Sequence, residues 1–497
     1  MKKTSRTIIP GIITRLLLPP APALPTIRSH PCSPVAPDGR GSRFNRPCHL
    51  PLSLLLSLLP LLSLLLLLPL PLAAQSEEKT LLIESIQFEG NTKTKASVIR
   101  NYLTLKEGQP VTREELEKDQ SRLQQTNFFK EVQLLLQPGS ERGRALLVVS
   151  VQERRWPYLQ FKSGYNELDG WYISPLGVRF DNLFGGGHFF GGELVIGDRI
   201  AAGRVDFIKP FLWGSEYDFQ AQFFVSSREF VHFIPQENSG SQDKFKQQVG
   251  GGGLMFRLAG NSGIPKLFSL AYIAQTVEAD SFLTQGSDKS QHYDAPEYLL
   301  EAAGKKDLRR FVFAFTVDTR NRKGNPSSGW WGSLSYDQSS RDLGSFANFY
   351  RVIGDIRRYQ HLWKGVSGAV RLKGGRVSEA APFYEKFYLG GPNSLRGYAD
   401  RSLTPPGYAS YLTQGSAELR FPLSARPKNR DRLIGVLFYD VGYAWNKPDS
   451  WEFERLKAGM GFGVRLKLPI VGLLRMDFAY PVPEYEFRFH LSLGHTF

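Results

Sequence analysis

The sequence predicts a β protein: a transmembrane antiparallel β-barrel of about 16 strands, preceded by one small α+β domain of order βααββ. Three observations carry this. Strand-length segments in the last two-thirds of the chain alternate apolar and ionised residues with period two. Aromatic residues make up 13% of the chain and glycines number 48, a composition that suits extended segments joined by tight turns. Beyond residue 72 no apolar run approaches the roughly 20 residues that a spanning helix requires. A barrel has no such requirement, because each strand averages lipid-facing and lumen-facing side chains to a neutral hydropathy. The mean hydropathy here is −0.27.

Residues 1–74 read as a leader. Residues 49–72, HLPLSLLLSLLPLLSLLLLLPLPL, follow Arg40, Arg43 and Arg46 and precede Ala73-Ala74-Gln75-Ser76. That is the layout of a secretory signal peptide cut near Ala74. An N-terminal membrane anchor is the rival reading of so long a stretch, and Pro51, Pro60, Pro69 and Pro71 weigh against it by breaking the helix. Residues 1–48 fit neither a domain nor an ordinary basic head. They read as translation from an initiation codon set too far upstream, which N-terminal sequencing of the precursor tests. Both cysteines, Cys32 and Cys48, lie in the leader, so a chain that has lost it carries no disulfide and no cysteine metal site. The leader also carries seven of the fifteen net positive charges. The remaining excess is spread thinly, without Lys/Arg clusters interleaved with aromatics, and nucleic acid is not an expected partner.

Residues 79–153 form the small domain. Lys79–Phe88 is a strand with Leu82, Ile86 and Phe88 on one face, ended by Glu89-Gly90-Asn91. Thr94–Leu103 is helical, with Val98, Tyr102 and Leu105 at helical spacing. A second helix opens at Pro110 and runs to about Gln125; Thr112 and Glu115 stand at capping-box spacing. Val132–Leu136 and Leu146–Val151 are strands around a Pro138-Gly139 turn. The segment Ile86-x-Phe88-x-Gly90-Asn91, the pair Phe128-Phe129 and the element order resemble a POTRA domain, the periplasmic module that precedes outer-membrane assembly barrels. The resemblance implies that extended client segments pair along a sheet edge, here the strand near Val132–Leu136.

Residues 156–497 form the barrel. In the last thirteen residues Tyr485, Phe487, Phe489, Leu491, Leu493 and Phe497 share one face, opposed by Glu486, Arg488, His490, Ser492, Gly494 and Thr496. Met460, Phe462, Val464, Leu466 and Leu468 oppose Gly461, Gly463, Arg465 and Lys467. Leu474, Met476, Phe478 and Tyr480 oppose Arg475 and Asp477, and Leu437, Tyr439, Val441, Tyr443 and Trp445 oppose Phe438, Asp440 and Gly442. A soluble sandwich also alternates. An apolar face backed by an ionised, glycine-rich one does not suit a dry core, but it does suit lipid outside and a polar lumen inside. Phe487, Phe489, Leu491, Leu493 and the terminal Phe497 resemble the C-terminal recognition signal of outer-membrane barrels.

Between two strands of this region lies Phe387-Tyr388-Leu389-Gly390-Gly391-Pro392-Asn393-Ser394-Leu395-Arg396-Gly397-Tyr398, a backbone-led loop with one charge. Taken alone, Arg396 is an ordinary solvated loop arginine. The residues Leu395-Arg396-Gly397-Tyr398 closely resemble the RGY-type loop of the bacterial surface antigen, BamA/TamA-like outer-membrane protein assembly superfamily. Further resemblances follow in family order: Asp318-Thr319-Arg320-Asn321 with Pro326 and Gly329, Ala417–Leu423, Leu437–Gly442 and Gly459–Arg465. The resemblance implies that the loop folds into the lumen and that Arg396 meets inner-wall acids, Glu418 and Asp440. It also implies that Arg396→Ala lowers function or biogenesis more than Arg401→Ala does.

No catalytic constellation, phosphate loop or metal-ligand spacing is visible, so neither enzyme activity nor a cofactor or metal is expected. What the resemblance implies is a protein of the outer membrane with its small domain in the periplasm. It would insert or translocate client polypeptides, the small domain receiving them and the barrel seam and lumen acting on them. Its partners would be the outer-membrane lipid bilayer and unfolded or extended polypeptides, with an accessory periplasmic or inner-membrane protein as a further candidate. A dedicated secretion or lipid-transport pore of the same barrel type, and a passive porin-like barrel, are the alternatives. One POTRA-like domain is fewer than the several of the central assembly factors or the two of two-partner secretion transporters.

Overall fold

An apolar face pairs with whatever apolar surface the chain offers within reach, and in the N-terminal module that surface is the module's own sheet. The computed structural model describes residues 81–497 except 155–156, 167–169, 213–215, 233–242, 261–265, 286–291, 295, 323–324, 364, 425–431, 448–450, 469–471, 484–485 and 494–497. The leader with both cysteines, Trp156, Tyr485 and Phe497 lie outside the described residues.

The module contains β1 (Leu81–Glu89), α1 (Ala96–Tyr102), β2 (Pro110–Val111), α2 (Arg113–Gln125), β3 (Phe129–Pro138) and β4 (Arg144–Glu153). The sheet order is β2-β1-β4-β3, with β1 parallel to β4 and the β3–β4 hairpin antiparallel, so β3 forms one edge. Ile99 of α1 and Leu123 of α2 bury against Ile83, Ile86, Leu147, Val149 and Phe129. Two details differ from the sequence reading. Pro110–Val111 is a short strand on β1 rather than the start of a helix, because the helix begins after Thr112, whose extended backbone is what a capping residue requires. The capping box is present: the Glu115 amide donates to the Thr112 hydroxyl at 3.3 Å, and the Thr112 amide donates to the Glu115 carboxylate at 3.1 Å. In β1, a register shift between Ile83 and Ser85 changes the parity, so Ile83 and Ile86 face the core and Leu82 is exposed.

The loop after β1 is organised by one carboxylate. Glu153 accepts the Thr94 amide at 2.6 Å, the Lys93 amide at 3.0 Å and the Thr92 hydroxyl at 2.8 Å. That loop then meets the barrel. The Lys95 amide donates to the Gly185 carbonyl at 3.1 Å, and the Asn182 side-chain amide donates to the Thr94 hydroxyl at 2.7 Å. Beside them the Tyr102 ring stands edge-on to Phe211 with centroids 4.8 Å apart.

The barrel wall begins with β5 (Tyr158–Asn166), β6 (Gly170–Leu183), β7 (His188–Gly197), β8 (Ile200–Lys209), β9 (Tyr217–His232), β10 (Asp243–Gly260) and β11 (Lys266–Ala279). A small hairpin of β12 (Phe282–Gln285) and β13 (His292–Asp294), followed by one helical turn, α3 (Glu297–Leu300), extends the wall at the mouth remote from the module. The wall continues with β14 (Gly304–Asp318), β15 (Gly329–Ser339), β16 (Phe349–Trp363), β17 (Val366–Val377) and β18 (Tyr411–Pro422). It ends with β19 (Leu433–Trp445), β20 (Lys457–Leu468), β21 (Gly472–Val482) and β22 (Arg488–Leu493). Leaving the hairpin aside, this is a sixteen-stranded antiparallel wall, closed where β22 meets β5 through the pair Leu493↔Tyr165.

Side chains sort as the alternation requires. Leu437, Phe462 and Phe489 of β19, β20 and β22 are exposed on the outer surface, whereas Asp440, Asp477 and His490 of β19, β21 and β22 are buried inside. Aromatic stacks run along the outer face, Phe462 on Phe478 at 4.8 Å and Tyr443 on Trp445 at 5.1 Å. Lipid suits such a surface, because backbone groups pair from strand to strand along the wall, with the junction of β22 and β5, joined by one residue pair, the exception.

Candidate functional site

The connection from β17 to β18 is long and turns back into the barrel from the remote mouth. Its glycines let it pass close to the wall. Gly397 has φ +97°, and a Cβ there would lie 2.8 Å from the Pro481 nitrogen of β21. Gly459 of β20 faces the loop from the other side, and a Cβ there would lie 1.9 Å from the Arg396 carbonyl oxygen. The loop backbone thus rests on β20 where the wall has a glycine, and on β21 where the loop itself has one.

Apolar residues of the loop fill the space this leaves. Phe387, Leu389, Leu395, Tyr398 and Ala409 form a buried cluster with wall residues Val277, Leu308, Val377, Leu412 and Ala444. The Tyr398 hydroxyl donates to the Ala458 carbonyl at 3.2 Å. The loop thus packs on the inner wall along β11, β14 and β17 to β19.

Within the lumen, the structure brings Arg396, Glu418 and Asp440 together. The Arg396 side chain is 3% exposed. Its Nε and Nη2 reach the two oxygens of Asp440 at 2.6 and 2.8 Å, the forked geometry that guanidinium and carboxylate share. Nη1 donates to Glu418 at 2.9 Å and Nη2 also reaches the Ser416 hydroxyl at 3.3 Å. The guanidinium carbon lies 3.6 Å from the centre of the Phe438 ring. Beyond the first acids, Arg420 pairs with Glu418 at 2.8 Å, and Arg465 and Arg475 pair with Asp477 at 2.6 and 2.5 Å. Asp477 stands 3.9 Å from Arg396. Three carboxylates and four guanidiniums on β18, β19, β20, β21 and the loop therefore compensate one another to within one positive charge in a desolvated space, where an unpaired member is costly.

Several participants escaped the sequence reading. Asp477 shares the inward parity of Asp440, but parity alone does not say which inward acid lies nearest. His490 on the last strand accepts the Gly397 amide at Nε2, 3.1 Å away, and so ties the loop to the strand that closes the barrel. Arg475 donates to the Pro392 carbonyl at 2.8 Å. Arg401 is also not the neutral comparison that its sequence context suggests. It is buried, donates to the Tyr408 hydroxyl at 3.2 Å and stacks over Phe230 and Tyr388 at 4.5 and 4.7 Å, so its loss also disturbs the loop. Of the C-terminal residues, Phe487 and Phe489 are exposed on the lipid-facing side and Leu491 follows on β22. Leu493 is placed by its backbone register, and Phe497 lies outside the described residues.

Known proteins resemble the chain in the same two parts. The Surface antigen variable number repeat, the POTRA family, matches residues 81–154, and the Omp85 superfamily domain matches residues 182–497. The chain is 23% identical over 436 residues to the outer membrane protein assembly factor BamA of Nitratidesulfovibrio vulgaris, covering 85% of this chain and 52% of that protein. It is 24% identical over 437 residues to the chloroplastic outer envelope protein 80 of Arabidopsis thaliana, covering 81% and 54%. The chain thus spans about half the length of the curated relatives it matches. Among solved structures, BamA from Haemophilus ducreyi lacking POTRA domains 1–3 superposes with a TM-score of 0.61 at 18% identity, over 83% of this chain and 84% of that one. CdiB from Acinetobacter baumannii does so with 0.54 at 14% identity, over 84% and 73%. With the superfamily domain matched over well over half of its length, and a barrel of the same fold built around an inward loop, this chain belongs to the Omp85 superfamily.

Proposed function

We propose that this protein resides in the outer membrane, with its N-terminal module in the periplasm, and inserts client polypeptides into that membrane. The observation that carries the reading is the inward loop. Its residues Leu389, Leu395 and Tyr398 pack on the wall, and Arg396 pins it to Glu418 and Asp440, inside the space a passive pore leaves to its solute. A barrel built this way acts on polypeptides at its wall. The place where that wall is closed by strands remote in sequence is the junction of β22 with β5. A client segment adds there by main-chain hydrogen bonding, which is indifferent to sequence, and leaves into lipid once its own backbone is paired.

The module supplies the earlier step. Edge strand β3 keeps one side of its backbone free of sheet partners, with Leu135 and Leu136 exposed along it, so an extended client can lie against it in register. The module meets the barrel through Thr94 and Lys95, against Asn182 and Gly185 at the turn that joins β6 to β7. The work is binding and release, with no bond chemistry.

Depletion of the protein followed by quantitative proteomics of purified outer membrane tests the proposal. Loss of many barrel proteins together is the expected result. Loss of one exported protein, with the other barrels at parental level, would replace insertion by dedicated secretion.

A further inference from the structure

We infer that Glu385 is a positioning residue, a second anchor of opposite sign that seats the lumen loop so that Arg396 reaches its acids and the loop keeps its place in the lumen. Glu385 ends the short 3-10 turn Phe383–Glu385, eleven positions before Arg396 on the same loop. Its carboxylate meets Arg310 of β14 at 2.7 Å and Arg351 of β16 at 2.7 Å, and Arg351 is also paired with Asp337 of β15. Glu385 is 6% exposed and Asp337 is 4% exposed, so both acids of the cluster are shielded from water.

The two anchors are mirror images in charge. At Arg396 a loop cation sits on wall acids carried by β18, β19 and β21; at Glu385 a loop acid sits on wall cations carried by β14 and β16. A loop held at a single point can rotate about it. Held at two points on separate wall sectors, the intervening backbone has one place to go. That backbone is already tied to the loop's return limb by the reciprocal bonds of Phe387 and Ala409, each 2.9 Å. Next to Glu385, Phe383 packs edge-on to Phe245 at 5.3 Å and tilted on Tyr408 at 5.5 Å, with Leu299 and Ala302 completing the cluster. This apolar cap sits over the charged pair. With Glu385 in place the cluster balances two guanidiniums against two carboxylates; without it, the largely buried Arg310 and the half-buried Arg351 have Asp337 as the remaining acid of the cluster, and more water must enter to solvate them.

The test is Glu385→Gln in the full-length protein, reconstituted in planar lipid bilayers and, in parallel, followed by hydrogen exchange. Glutamine keeps the shape and removes the charge. Conductance is expected to rise at least about twofold, and exchange across residues 387–398 about tenfold, although Arg396 and its acids are intact. Glu385→Asp, which restores the charge, is expected to bring both measurements back towards the parent. A role confined to local packing leaves residues 387–398 as protected as in the parent. Parental exchange and parental conductance in Glu385→Gln, or an Asp variant no better than Gln, overturns the inference. Should Glu385→Gln fail to assemble, Arg310→Gln leaves Glu385 paired with Arg351 and carries the same expectation at smaller size; parental exchange in that variant overturns the inference equally. Neither readout depends on client insertion, so the anchor and the proposed function stand or fall separately.

Discussion

Arg396 spends every arm of its guanidinium inside the barrel, and that sets the scale of what its removal does. Taking away one member of a desolvated charge set leaves the others uncompensated, at a cost of about 3 kcal/mol. Arg396→Ala is expected to lower the unfolding midpoint in urea by the corresponding amount and to reduce the heat-modifiable folded fraction. Arg455→Ala, at an exposed pair with Glu452, is expected to leave the midpoint close to the parent's. Coincident midpoints for the two variants would remove the loop arginine from the barrel's stability. Arg396→Lys should fall between, because an ammonium supplies charge without the fork that grips both oxygens of Asp440. Gly459 gives a test that touches no charge. A methyl there meets the Arg396 carbonyl oxygen, so Gly459→Ala should cost about 1–3 kcal/mol through displaced backbone. Gly332→Ala, with open space at the same atom, should be close to neutral. Equal stabilities in denaturant titration would mean that the loop does not rest on β20.

The joint between module and barrel is the element whose stability ought to respond to acid. Burial alone would raise the Glu153 carboxyl, but the bonds it accepts from Thr94, Thr92 and Lys93 outweigh that and hold it below its ordinary value of 4.5. A depressed folded value means that the contribution is complete above pH 4.5 and is lost as pH falls through the lower folded value. Amide exchange at Lys93 and Thr94, corrected for the intrinsic rate, should therefore stay slow above pH 4.5 and accelerate below it. In Glu153→Gln the acid limb should flatten. An unchanged limb in that variant would assign it to another group. How far these elements could be read beforehand depends on how local their determinants are. Helix α2 announces itself, because Thr112 and Glu115 cap it within four residues. The bulge in β1 does not, since Leu81, Leu82 and Ile83 offer apolar side chains to both faces and only pairing with β4 decides between them. The lumen loop is intermediate. Its glycines and Pro392 mark a turn-rich tip, whereas its return into the barrel rests on partners 20 to 93 residues away.

At the level of the whole molecule, what was legible and what was not have a common cause. Lipid is a uniform solvent, so every strand obeys the same period of two, and the outward residues of β19 to β22 follow from the letters alone. The lumen imposes no such uniform rule. Asp337, Asp355, Glu418, Asp440 and Asp477 all point inward, and only the register of the closed wall decides that Arg396 meets the last three while Asp355 pairs with Arg357 and Arg371. The outward face therefore supports the most general prediction. Phe462 lies midway along β20, exposed and stacked on Phe478. If lipid surrounds it, Phe462→Arg should lose about 2–4 kcal/mol in phospholipid vesicles, the cost of a cation near the bilayer midplane. Phe462→Leu should lose less than about 1.5 kcal/mol, as a swap of one apolar side chain for another. If water surrounded it, arginine at so exposed a position would cost almost nothing. Urea titrations of the three proteins in vesicles separate the cases, and an arginine variant as stable as the parent would contradict a membrane-embedded wall.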